Sequence, residues 1–85
     1  MPSRTVTVGS AIGLHARPAA RIADAVLTAG VPVTLAVGGA DPVDAGSALM
    51  IMTLGAAHGA SVTVACDDAE VLAAIADLVG QDLDA

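Results

Sequence analysis

His15 and Arg17 lie in the stretch Gly13-Leu14-His15-Ala16-Arg17-Pro18-Ala19-Ala20, and a helix-like apolar pattern follows directly. Pro18 sets the register. Proline is tolerated in the first turn of a helix, where its missing N–H leaves no helical bond unmade, so His15 reads as the N-cap and Ala16 as the first helical residue. An imidazole placed there lies where unpaired backbone N–H groups and the positive end of the helix dipole collect, an arrangement suited to an anion. Arg17 adds a fixed cation whose planar fork of donors matches phosphate. Free imidazole, with a pKa of about 6.5, is mostly neutral near pH 7 and is nucleophilic without an added base, whereas a serine hydroxyl would need one. The chemistry that fits is a ring nitrogen that carries a phosphoryl group, with the N–H groups of Ala16 and Arg17 and the Arg17 side chain dispersing its charge. The simpler alternative is a histidine that only caps the helix.

Composition narrows what surrounds this stretch. The chain has 85 residues, enough for one domain, residues 1–85, with a single core. Hydrophobic residues make up 55% of it, yet Phe, Trp and Tyr are absent, so Val, Ile, Leu, Met and Ala must fill the interior. The one cysteine, Cys66, lies in a valine-rich run and reads as a buried thiol. Net charge is −6, and the three cations are Arg4, Arg17 and Arg21. Such a chain lacks the basic face that nucleic acid requires. Two of the three arginines nevertheless flank the histidine, making that region locally positive on an acidic body and favouring phosphate or an acidic partner surface. The N-terminal residues lack the pattern of a secretion signal and no apolar run reaches spanning length, so a cytoplasmic protein without membrane insertion is expected.

The elements that must hold His15 follow from periodicity. Arg4 to Val8 alternates as a half-buried strand, and the loop from Gly9 to Gly13 delivers the chain to the histidine. From Ala16 to Ala29, residues Ala19, Ile22, Ala23, Val26 and Leu27 form an apolar stripe. Arg17, Arg21, Asp24 and Thr28 share the opposite face, so Arg21 extends the Arg17 surface and is a candidate partner contact. Gly30 suits the C-terminal end. Val31, Val33, Leu35 and Val37 alternate as a second strand ended by Gly38-Gly39, and Asp41 to Asp44 is read as a brief third strand paired by hairpin. Ser47 stands as N-cap of a short helix from Ala48 to Met52, closed by Gly55. His58-Gly59 reads as a turn, since His58 has no companion at metal-ligand spacing. Val62, Val64 and Cys66 mark a last strand. Asp67 with Glu70 resembles a capping box, and Val71, Leu72, Ile75, Leu78 and Val79 form the stripe of a helix stopped by Gly80, ahead of an acidic tail from Gln81 to Ala85. The order β-α-β-β-α-β-α predicts an α+β fold, with helices covering one side of an antiparallel sheet.

The segment GLHARPAA resembles the phosphorylation site of HPr, the histidine-containing phosphocarrier family of the phosphoenolpyruvate-dependent sugar phosphotransferase system. Gly46-Ser47-Ala48-Leu49-Met50-Ile51-Met52-Thr53-Leu54-Gly55 is similar to that family's regulatory-serine helix. The two motifs lie at the family's separation in a chain of the family's length. The resemblance implies an open-faced sandwich of four antiparallel strands with three helices on one face. It implies that Nδ1 of His15 accepts a phosphoryl group from enzyme I and yields it to IIA domains or subunits of sugar permeases, with Arg17 assisting. The protein would then be a monomeric carrier that needs no cofactor or metal, more a substrate of its partners than an autonomous catalyst. It further implies that Ser47 is the target of an HPr kinase/phosphorylase, and that exposed apolar residues of its helix, Leu49 and Met52, dock partners beside the histidine. Gly46 stands where many relatives carry a basic residue, and Met50 where kinase-regulated relatives often carry a smaller one. Two other readings share these motifs: a regulatory module that docks a transcriptional regulator, and a paralogue dedicated to fructose or to nitrogen-linked regulation.

Overall fold

The computed structural model describes residues 2–38 and 40–82. Gly39 of the predicted turn and residues 83–85 of the predicted tail lie outside the described residues. The elements are β1 (Ser3–Thr7), α1 (Ala16–Ala29), β2 (Thr34–Val37), β3 (Val43–Asp44), α2 (Ala48–Thr53), β4 (Ser61–Ala65) and α3 (Ala69–Gly80), the predicted order. The strands form one sheet in the order β1-β4-β2-β3. All three pairings are antiparallel.

Register determines which side chains the helices cover. Val62 lies opposite Val6 and Val37, and Val64 lies opposite Leu35. Directly opposed residues share a face, so these aliphatic side chains turn together toward the helices. Thr5 and Thr63 pair on the other face, where their hydroxyls approach to 3.3 Å. α3 packs against β1 and β4, α1 against α2 and α3, and α2 against β3. The hydrophobic core includes Val8, Ile22, Leu35, Ile51, Val62, Val64, Ile75 and Val79 with the Cys66 thiol, and Ser10 is the buried polar residue among those described.

Four local expectations need correction. Leu27 is 68% exposed, off the buried stripe of α1 on which its spacing puts it. The buried arc of α1 is Pro18, Ala19, Ile22, Ala23 and Val26. Leu27 lies about 100° around the helix from Val26 and so falls on the flank. The α3 cap is Asp68 rather than Asp67: its carboxylate accepts from the N–H groups of Glu70 at 3.0 Å and Val71 at 3.2 Å. Gly80 is the last residue of α3 rather than the residue beyond it, and Gln81 takes the C-cap. Strands β1, β2 and β4 end or begin inside the alternating runs, leaving Val8, Val33 and Cys66 buried just beyond them.

Candidate functional site

α1 begins where Pro18 places it, with His15 as N-cap in extended backbone geometry. The first helical bond runs from the Ala19 N–H to the His15 carbonyl, at 2.9 Å. Ala16 and Arg17, upstream of that bond, have N–H groups with no acceptor within the helix, and Pro18 has none to offer. The His15 side chain makes no capping hydrogen bond. It is exposed, at the positive end of a helix of 14 residues. An exposed imidazole at a helix start that leaves two main-chain N–H groups without helical acceptors, with an arginine in the same first turn, offers the kinds of group that phosphoryl chemistry uses.

The loop that presents His15 is anchored on two sides. On one, the Gly9 N–H donates to the Val79 carbonyl at 3.1 Å, satisfying part of the C-terminal end of α3. A Cβ at residue 9 would lie 2.1 Å from the Gly80 oxygen, so only glycine permits this approach. On the other side, the Leu14 N–H donates to the Ala56 carbonyl at 2.9 Å. Gly13 has φ +81°, and a Cβ there would meet the Ala56 oxygen at 2.4 Å. Two glycines therefore let the loop lie against its neighbours at the residues that bracket its bend.

Beside the histidine is an open depression of about 200 Å³ lined by Ile12, Leu14, His15, Met52, Gly55, Ala56 and Ala57. The structure thus brings Met52 of α2 together with His15. Leu49 is 68% exposed on the same short helix but does not line the depression. Arg17 is exposed in the first turn of α1, while Arg21, a turn further on, borders a different groove, between α1 and α3, with Asp24, Thr28 and Leu78. Ser47 caps α2: its hydroxyl accepts from the Met50 N–H at 3.3 Å. Two residues before the adjoining Gly46, the Asp44 carboxylate accepts from the Gly46 N–H at 2.8 Å, which places a fixed negative charge near that cap.

Sequence reasoning missed Ile12 and Leu27. Ile12 is 60% exposed at the rim of the depression, and its signal was an isolated branched apolar residue in a loop otherwise made of Gly, Ser and Ala. Leu27 carried no such signal. Its Cδ2 lies 3.6 Å from where a Cβ of Gly46 would stand, which brings it to the start of α2. With Leu49, Met50 and Met52, these residues are the large apolar side chains exposed among the described residues.

A family model described as the PTS HPr component phosphorylation site matches residues 2–81. The phosphocarrier protein HPr of Streptomyces coelicolor is 46% identical over 67 residues, which cover 79% of this chain and 72% of that one. The crystal structure of HPr-C-His from Thermoanaerobacter tengcongensis superposes with a TM-score of 0.87 at 27% identity, covering 100% of this chain and 98% of that one. A phosphocarrier protein HPr from Bacillus anthracis gives 0.83 at 28% identity, covering 92% and 95%.

Proposed function

The chain belongs to the HPr phosphocarrier family of the phosphotransferase system, and from that membership we propose that it accepts a phosphoryl group from phospho-enzyme I on Nδ1 of His15 and passes it to IIA domains or subunits of sugar permeases. The observation that carries this reading is the exposed, uncapped imidazole of His15 at the start of α1. Its lone pair attacks phosphorus as the bond to the donor breaks, and the group later leaves by the reverse displacement on the acceptor. Ala16, Arg17 and the helix dipole stabilise the charge in transit, so the chain supplies position and electrostatics while the partners supply the rest of the machinery.

Docking uses the apolar surface around the depression, with Met52 beside His15 and Leu49 farther along α2. Arg21 contributes from the adjoining face of α1. One small surface serving donor and acceptor alternately calls for transient contacts, with the chain acting as a monomer in the cytoplasm. Ser47 is the proposed regulatory position, where phosphate would alter the docking surface by charge. Asp44 opposes that phosphate through like-charge repulsion, so an HPr kinase should modify this chain more slowly than relatives with a basic residue at position 46.

Incubation with phosphoenolpyruvate and enzyme I tests the main claim. The chain should become an acid-labile, base-stable phosphoprotein, and His15→Ala should take no label while remaining folded. Label retained by His15→Ala would overturn the assignment.

A further inference from the structure

The bend of the phosphoacceptor loop carries one tie that neither the proposed transfer chemistry nor the docking surface uses. His58, in the turn between α2 and β4, places Nδ1 3.2 Å from the carbonyl oxygen of Ser10, 48 residues away in sequence. A carbonyl oxygen only accepts, so Nδ1 carries the hydrogen and the imidazole is held in its Nδ1–H form or as the imidazolium. The same Ser10 oxygen accepts from the Gly13 N–H at 3.0 Å, closing the turn from which Leu14 and His15 follow. Ser10 itself is fully buried, so its carbonyl sits at a fixed point of the loop. The other bonds between residues 8–14 and the 56–60 turn are main chain to main chain: Val8 to Ala60, Gly59 to Val8 and Leu14 to Ala56. His58 thus supplies the side-chain member of this set.

We propose that His58 is a positioning residue for His15, fixing the 10–13 turn through its Nδ1–H donation to Ser10 and so holding the imidazole at the height needed for phosphoryl transfer. The proposal rests on the phosphocarrier reading above. Loss of the donor would leave the loop attached at Gly9, at Leu14 and through the Ser10 hydroxyl, which donates to the Gln81 carbonyl at 3.4 Å, but would remove the side-chain tie that holds the Ser10 carbonyl from the side of the 56–60 turn. Misplacement of a reacting atom lowers the rate of the chemical step while leaving the docking surface intact. His58 does not line the depression, so its effect belongs in the maximal rate rather than in partner affinity.

The test measures transfer from phosphoenolpyruvate through enzyme I at varied chain concentration, for the wild type, His58→Ala and His58→Asn. An asparagine amide can present an N–H near the place of Nδ1. His58→Ala should lower the maximal rate about threefold to tenfold, the range expected for one net hydrogen bond, with KM unchanged. His58→Asn should recover most of that loss. In parallel, long-range proton–nitrogen NMR of the wild type should find His58 protonated on Nδ1. Hydrogen exchange at the Gly13 amide should quicken in His58→Ala. Equal maximal rates in the wild type and His58→Ala, or a folded His58→Asn as slow as the alanine variant, would overturn the proposal. A wild type that takes no label would instead defeat the phosphocarrier reading; a neutral Nε2–H tautomer with unchanged Gly13 exchange would then defeat the tether separately.

Discussion

The starts of α1 and α3 face the same physical problem and resolve it in opposite ways. At α3 the Asp68 carboxylate accepts two main-chain N–H bonds, and Glu70 adds charge of the favourable sign in the first turn. At α1 the N-cap is a histidine that makes no capping bond, and the first turn holds a cation and a proline with no acidic residue. One helix end is stabilised by its own side chain, and the other keeps its donors available. The contrast teaches that α1 is held by burial of Ala19, Ile22, Ala23 and Val26 rather than by its terminus, which leaves the terminus available for chemistry.

The two helix starts separate most sharply when the side chain at each cap is removed. His15→Ala should abolish labelling completely yet change unfolding free energy by less than about 0.5 kcal/mol in urea titration, because no cap bond is lost. A large loss of stability would show that His15 is a structural cap after all. Arg17→Ala, which keeps the donor hydrogens of the main chain but removes the guanidinium, should slow transfer by about tenfold or more in single-turnover labelling. An unchanged rate would leave the main-chain groups alone in the role. Gly13→Ala should cost about 2 kcal/mol or more, since it combines a left-handed backbone with contact against the Ala56 oxygen. Asp68→Ala gives the mirror image of His15→Ala: a stability loss of about 1 kcal/mol with labelling retained. Ser47→Ala sits between the two helix ends, with a loss of about 0.5 to 1 kcal/mol by the same denaturation measurement and no phosphate from an HPr kinase at that position.

Helix boundaries were legible where local chemistry marked them. Pro18 gave the start of α1, Gly30 its end, and Ser47 the cap of α2, each as observed. Leu27 misled because a stripe drawn from spacing has no edge. Which residues on its margin are covered depends on the neighbouring helix, and at that margin Gly46 offers no side chain to pack against. Asp67 misled for a related reason: Glu70 three residues on gives it the spacing of a capping box, but the entry direction of the chain decides which carboxylate reaches the first N–H groups, and that one is Asp68.

By itself the sequence determined the order of elements, the register of α1 and the placement of His15 at its head, because a proline's missing N–H and the 3.6-residue repeat act over a few neighbouring residues. The tertiary structure alone decided how the loop before His15 is held. Gly9 lies against the end of α3, Gly13 against Ala56, and His58 reaches Ser10. Those contacts join residues far apart along the chain, so they exist only once the helices have settled on the sheet, and no local spacing encodes them.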